Sequence, residues 1–376
     1  MRKTEYQTRT RHGHNGNGNG CGDYAVLCRP PKPKLEAQNI IDFAKTKGAT
    51  DIHIVAGVPI LFRIDGELIP VTRGVLAASM VKRLSYSLLN DEQITCFEDK
   101  LDFDFMLPQA DRTRCRVNVS FVDGQVGTVI RLLPNKPLSL KSISLPPVVN
   151  KLPKARKGLI LITGSTSQGK TTTLASMIDS INRQQRKNII TIEDPIEYIH
   201  TYRNSSIRQR QVGRDTESFA QGLRAALRQD PDVIAIGEMR DFETIKIALT
   251  AAATGVLVIS TMHIISIDKI IERVLTYTPD GSEGQIRTLL AEALLGVIHQ
   301  ELLPTVDGRK RIASEILVAT DAVRNLIRNR GTVYLRSIIA TGQRYGMQSM
   351  KTSLDKLREE GEITDSLYRV VLENYR

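Results

Sequence analysis

The sequence predicts an α/β protein: a small α+β domain, then a larger parallel-sheet domain that ends in a helical part. Three observations predict it. First, Gly164-Ser165-Thr166-Ser167-Gln168-Gly169-Lys170-Thr171 fits the phosphate-binding pattern G-x-x-x-x-G-K-[ST]. Second, apolar strand-like runs alternate with helical ones from residue 148 onward, the signature of a parallel sheet covered by helices. Third, short alternating stretches between residues 51 and 132 surround an Asp65-Gly66 turn, which reads as an antiparallel hairpin.

The elements follow in order. Residues 1–34 carry Asn15-Gly-Asn-Gly-Asn-Gly20 and Pro30-Pro31-Lys32-Pro33, and are expected to form a disordered tail and a stiff spacer. His12 and His14 lie in that tail and are expected to be solvated rather than metal ligands. Residues 40–46 predict a short amphipathic helix, 51–55 and 59–64 strands, 71–89 a helix, and 103–105, 114–120 and 127–132 further strands. The first domain is therefore expected over residues 35–133. Four prolines in residues 134–147 predict a linker. The second domain, 148–376, is expected to hold strands at 158–163, 188–192, 233–236 and 256–260. Helices are expected at 170–181, 219–228 and 242–252, and mostly helix after Asp268, with clear patterns at 289–299 and 350–359.

Composition bounds the class. The chain has 376 residues, 41% hydrophobic and 25% charged, which supports a real core. No apolar stretch reaches the ~18 residues that span a bilayer, and the N-terminus lacks an apolar signal region, so the cytoplasm is the expected compartment. Cys21, Cys28, Cys96 and Cys115 show no C-x-x-C spacing, so reduced thiols are expected rather than a zinc module or a disulfide framework. The net charge is +11, of which seven bases against two acids place +5 in the first 34 residues. With no Trp, few aromatics and no recognisable nucleic-acid motif, this balance reads as solubility plus contact with an acidic partner or membrane surface, and nucleic-acid binding is not expected.

The octapeptide lies between an apolar strand and a helix start, where backbone N–H groups converge and the helix dipole favours an anion. In that motif Lys170 reaches the β- and γ-phosphates of a nucleotide and the Thr171 hydroxyl holds Mg²⁺. Ser167 and Gln168 fill positions often given to small residues, and a β-carbon there costs stability where the backbone needs positive φ. Two acidic clusters follow at strand ends, Thr191-Ile-Glu-Asp-Pro-Ile-Glu197-Tyr and Asp232-Val-Ile-Ala-Ile-Gly-Glu238-Met-Arg-Asp241. Carboxylates there can hold a Mg²⁺ water shell or deprotonate an attacking water. Glu197 and Glu238 are the functional candidates; Glu193, Asp194 and Asp241 serve equally as turn or helix caps. His263 closes a third strand and can sense a γ-phosphate through a hydrogen bond.

These residues, together with Arg210 to Thr216, Ala226-Leu-Arg-Gln-Asp-Pro-Asp232, Glu243-Thr244 and Ala248-Leu-Thr-Ala-Ala252, resemble the secretion and type IV pilus ATPases. Asp321-Ala-Val-Arg-Asn-Leu-Ile-Arg328, Gly346-Met-Gln-Ser-Met350, Thr50-Asp-Ile-His-Ile54 and Arg63-Ile-Asp-Gly66 are similar to the pilus-retraction branch of that family. The resemblance spans about residues 37–360 and leaves the first 34 outside. It implies a PAS-like N-terminal domain and a RecA-like ATPase domain in a homo-hexameric ring. It further implies ATP and Mg²⁺ as ligands and hydrolysis to ADP and phosphate that drives pilus retraction and twitching motility.

By the same resemblance the ring lies peripherally at the inner membrane, acts on a pilus platform protein there, and is linked indirectly to a pilus assembly ATPase. Residues 164–172, including Thr172, would bind nucleotide. Thr171 and Glu238 would lie at the metal, Glu238 as the Walker B glutamate. Glu197 would position or activate water, and His263 is the retained residue of a histidine box. Arg116 and Arg131 match basic positions of the N-terminal domain that can reach nucleotide. Val256 replaces the first histidine of that box, Ile264 and Ile265 replace hydroxyl residues, and Ser167 replaces a frequent glycine. These departures are expected to remove polar groups near the γ-phosphate side and support a weakly hydrolysing regulatory subunit as one alternative. An assembly or secretion ATPase of the same superfamily is another, against which Val323-Arg324-Asn325-Leu326 and the lack of a four-cysteine zinc module argue.

Overall fold

The computed structural model describes residues 36–111, 113–133, 136–329 and 331–375. The expected tail, with His12, His14, Cys21 and Cys28, lies outside them. Among the described residues there are two sheets, the first with one core and the second with a core layer on each face.

The first sheet is antiparallel, in the order β3-β2-β1-β6-β5-β4. Its strands are β1 (Asp51–Ile54), β2 (Leu61–Ile64), β3 (Glu67–Pro70), β4 (Asp102–Pro108), β5 (Arg114–Val122) and β6 (Gln125–Leu133). Helices α1 (Ala37–Thr46), α2 (Ala78–Tyr86) and α3 (Asp91–Lys100) complete this part. Alternation sorts the faces: Cys115, Val117 and Val119 of β5 join Ile52, Phe62, Ile130 and the helix residues Ile41, Leu84 and Phe97 in the core. Arg114, Arg116 and Asn118 point to the other face. The Asp65-Gly66 turn implies β3 without giving its bounds, for its four residues are all exposed, and sequence reading passed over α3, which buries only Phe97. The signal for α3 was its capping box: Asn90 accepts from the Gln93 amide while the Gln93 side chain accepts from the Asn90 amide.

The proline-rich stretch after β6 is not a free tether. Leu140, Ile143 and Leu145 are buried with Val149 and Leu152 against the second sheet. That sheet runs β13-β12-β7-β11-β10-β8-β9. Strands β7 (Gly158–Thr163), β8 (Asn188–Glu193), β9 (Ser206–Gln211), β10 (Val233–Ile236), β11 (Leu257–Met262) and β12 (Leu294–Pro304) are parallel, and β13 (Lys310–Val318) returns antiparallel to β12. All residues of β7, β10 and β11 are buried, as central strands covered on both faces must be. Ile160 and Ile162 of β7 meet Leu174, Met177 and Ile178 of α4 (Lys170–Gln184). Leu159 and Leu161 meet the other layer, which holds Leu223 of α5 (Phe219–Leu227) and Ile245 and Leu249 of α6 (Phe242–Thr254).

The expectation of a mostly helical chain after Asp268 is corrected here. Helices α7 (Ile270–Thr276) and α8 (Glu283–Ala293) do form, but the helical pattern assigned to 289–299 breaks at Leu294, where the eleven-residue strand β12 begins. A strand buried on both faces shows no alternation, so its apolar run mimics a helix. The overlooked signal was Asp307-Gly308, the turn of the β12–β13 hairpin, with Gly308 at φ 79°. Helices α9 (Asp321–Arg328), α10 (Leu335–Thr341), α11 (Met350–Glu359) and α12 (Asp365–Glu373) follow. The last two pack Leu354, Leu357 and Val371 onto Leu303 and Ala313 of the hairpin.

Glu315, opposite His299 in that hairpin, is 8% exposed. Burial pushes its carboxyl from 4.5 up to about 7; the Met350 amide and the Arg336 charge oppose the rise, while Asp268 adds to it. The folded protein therefore holds this proton where the unfolded chain releases it. The contribution to stability is present in full below pH 4.5 and is lost as pH rises through 7. Glu315→Gln should abolish that loss, gaining up to about 3 kcal/mol on the wild type between pH 5 and 8. Urea midpoints across that range measure it, and parallel curves for the two proteins would contradict it.

Candidate functional site

The octapeptide leaves the end of β7 and enters α4. Gly164 has φ 147°, and an added Cβ would lie 2.5 Å from the Gln300 carbonyl oxygen of β12. Gly169 takes φ 79° as the N-cap of α4 and, lacking a side chain, leaves the first-turn amides to an incoming anion. Ser167 adopts φ 63°, a left-handed conformation that strains a residue with a Cβ. The strain is held by contacts on either side. Gln300, fully buried, donates from Nε2 to the Gln168 carbonyl (2.6 Å) and accepts from the Thr173 hydroxyl of α4 (2.9 Å). The Gln168 side chain accepts in return from the Leu302 amide. Sequence reading missed Gln300 because it placed that stretch beside a helix; no motif marks it.

Lys170, Glu238 and His263 come together at the C-terminal edge of the sheet. The Lys170 ammonium donates to the carbonyls of Gly164 (2.9 Å) and Ser165 (2.6 Å) and lies 3.3 Å from His263 Nδ1. His263 Nε2 is 3.3 Å from Glu238 Oε1, and Glu238 Oε2 receives Arg240 at 2.7 and 2.8 Å. Burial, then the Lys170 charge, lower the His263 pKa against the opposing pull of Glu238. An ammonium only donates, so the neutral ring accepts at Nδ1 and presents Nε2–H to Glu238. Burial lowers the Lys170 pKa, and Glu238 counters it.

Glu197 approaches from the loop after β8. Burial raises its carboxyl, while Arg131, Arg116 and a hydrogen bond with Thr171 oppose the rise. Thr172 Oγ1 and the buried Tyr198 hydroxyl are 2.9 Å apart, tying that loop to α4. Arg116 and Arg131 face each other across β5 and β6, paired with Asp104 (3.2 Å) and Asp51 (2.8 Å) of their own sheet. Ser165, Thr166 and Ser167 are exposed on the loop.

Of the open carboxylates, Asp241 caps α6 by accepting from the Thr244 amide and hydroxyl, each at 2.8 Å. Glu193 is buried against Thr191 (2.6 Å) and Gln209 (3.0 Å). Asp194 is exposed and joined to Pro195 by a cis bond.

The donor set suits a nucleotide with a hard cation. Among the described residues, no three His, Cys, Asp or Glu side chains form a metal cage. Mg²⁺ would take the Thr171 hydroxyl and a carboxylate, with phosphate and water oxygens supplying the rest. One departure is corrected by the structure. Val256 stands just before β11, at the opposite end of that strand from His263, about 20 Å away along a strand at ~3.3 Å per residue. It cannot remove a polar group from the phosphate side. Ile264 is buried in the core and Ile265 is 71% exposed.

Comparisons with known proteins give a consistent picture. The family model for type II/IV secretion system proteins matches residues 30–370. The chain is 39% identical over 330 residues to the type IV pilus retraction ATPase PilT of Pseudomonas aeruginosa, covering 88% of this chain and 96% of that protein. It is 41% identical over 310 residues to a twitching motility protein of Neisseria gonorrhoeae, covering 82% and 83%. A crystal structure of the pilus retraction motor PilT with bound ADP superposes with a TM-score of 0.81 at 40% identity, covering 89% of this chain and 96% of that one.

The contact between the loop and β12 is tight enough to test. Gly164→Ala forces a Cβ into the Gln300 carbonyl and should lower folding stability by about 2 kcal/mol or more. Urea denaturation measures it; a midpoint equal to wild type would show that the loop does not lie against β12.

Proposed function

The chain belongs to the type II/IV secretion system protein family, and on that premise we propose that it is an ATP-hydrolysing motor that drives retraction of type IV pili and twitching motility. The observation that carries this reading is the near end-to-end match to a pilus retraction ATPase, extending through both sheets and the helical C-terminal part. In this reading the parallel sheet is the RecA-like ATPase domain and the antiparallel sheet the PAS-like domain. The motor works as a homo-hexamer on the cytoplasmic side of the inner membrane, against a membrane platform protein. No helix among the described residues is long and apolar enough to cross a membrane, which accords with peripheral attachment.

The residues divide the work. The first-turn amides of α4 cradle the phosphates, and Lys170 exchanges its two carbonyl partners for β- and γ-phosphate oxygens. The Thr171 hydroxyl and a carboxylate would hold Mg²⁺, which when bound would supply neutralising charge at the phosphates. Glu197, its carboxyl raised by burial and oriented by Thr171, is tuned to accept a proton from the attacking water. His263, held between Lys170 and Glu238, keeps its Nε2–H on Glu238 and so orients that carboxylate at the phosphate side. Arg116 and Arg131 add positive charge when the two domains close on the nucleotide.

A second reading, a weakly hydrolysing regulatory subunit, draws support from Ile264 and Ile265, which present no hydroxyls beyond His263. Turnover separates the two. Glu238→Gln in the purified ring should lower the ATPase rate by about a hundredfold while nucleotide still binds. Equal, measurable rates in variant and wild type would defeat the catalytic role of Glu238, and a wild-type ring that binds ATP without turning it over would favour the regulatory subunit. Cells lacking the gene should be hyperpiliated and non-motile; bald cells would point to pilus assembly instead.

A further inference from the structure

We propose that Tyr375, acting through His299 and Gln300, is a positioning residue for the phosphate loop, so that the C-terminal end of the chain sets nucleotide affinity. The inference rests on the assignment of ATP to that loop.

Strand β12 presents two faces. Gln300 points to α4 and the loop, while its neighbours His299 and Glu301 point to the other side, where α12 ends. His299 lies in register with Thr163, the last residue of β7 and the neighbour of Gly164. A hydrogen-bond chain runs through it. Thr163 Oγ1 is 3.1 Å from His299 Nδ1, and His299 Nε2 is 2.7 Å from the Tyr375 hydroxyl. That hydroxyl donates to Glu301 Oε1 at 2.6 Å.

The chain has one direction. The phenol hydrogen is committed to the carboxylate, so the phenol oxygen accepts from Nε2–H. Nδ1 is then left to accept from the Thr163 hydroxyl. The ring is buried and neutral, its pKa lowered to about 4 by burial first and by the Lys170 charge second.

Tyr375 therefore fixes the tautomer and tilt of a residue bonded to the strand end from which the loop departs. It also grips β12 on both sides of Gln300. On the opposite face Gln300 holds the Gln168 carbonyl and the Thr173 hydroxyl, and its own carbonyl lies against Gly164. Loop and strand touch with no slack, so a small shift of β12 moves the left-handed turn at Ser167. Tyr375 comes two residues after α12, which packs with α11 on the β12–β13 hairpin. A displacement of that helical pair has a short path to the phosphates.

The test uses the full chain in its assembled ring, with steady-state ATP kinetics and the Kd for a fluorescent ADP. Tyr375→Phe removes only the hydroxyl and should raise KM and Kd about fivefold, the worth of one hydrogen bond, with kcat within about twofold. Glu301→Ala should reproduce that effect, whereas Glu301→Gln, which keeps an acceptor oxygen, should restore affinity near wild type. Gln300→Glu still accepts from Thr173 but cannot donate to Gln168. It should raise both constants about tenfold or more, and the Tyr375→Phe/Gln300→Glu double variant should show less than the product of the single effects.

Unchanged KM and Kd in Tyr375→Phe, strictly multiplicative effects, or equal losses in Glu301→Ala and Glu301→Gln would each overturn the proposal. If Tyr375→Phe fails to assemble, the two Glu301 variants decide. A wild type that binds no ATP would instead overturn the assignment of nucleotide to the loop, as would a Lys170→Ala variant that binds it normally.

Discussion

A loop that offers its amide hydrogens to an anion cannot use those hydrogens to hold itself in shape. This constraint organises the site. The support comes from the side, where β12 braces the loop through Gln300, the Gln168 side chain ties back to the Leu302 amide, and Gly164 leaves room for the Gln300 carbonyl. Because the brace is a strand of the sheet itself, it inherits the sheet's rigidity. Ser167 can then keep a left-handed backbone that a free loop would abandon.

The electrostatics follow the same economy. Lys170, His263, Glu238 and Arg240 form a chain of alternating donors and acceptors at the strand ends. Each charged group has a hydrogen-bonding partner, the Lys170 ammonium through carbonyls and a neutral ring and Glu238 through Arg240, so a partly desolvated cluster is tolerated. A triphosphate entering that chain competes with carbonyls and a carboxylate already in place. The ligand replaces interactions rather than creating them in a vacuum, and the exchange is reversible.

Much of this was legible in the sequence because it is local. The octapeptide with its flanking strand and helix, the strand ends that carry Glu193, Glu238 and His263, and the helix at 350–359 all declare themselves within a dozen residues. What escaped depends on partners distant in sequence. β12 is buried on both faces and imitates a helix until β13 and β7 pair with it, and its parallel pairing with β7 is what brings His299 and Gln300 to the loop. β3 is exposed along its length and owes its existence to β2. The linker's Leu140, Ile143 and Leu145 look like loop residues until a core is there to receive them. Val256 misled because its place in the motif was set above its place in the strand, whose expected start at 256 already puts it at the far end from His263.

Arg116 and Arg131 face each other on adjacent strands, a repulsive arrangement relieved by Asp104 and Asp51. In the proposed closure each guanidinium would leave a carboxylate to meet a phosphate, trading one salt link for another. The net gain is then a small difference between similar terms, and the closed form is only shallowly favoured. A ratcheting machine benefits from that shallowness: a grip that never loosens would stall after a single stroke.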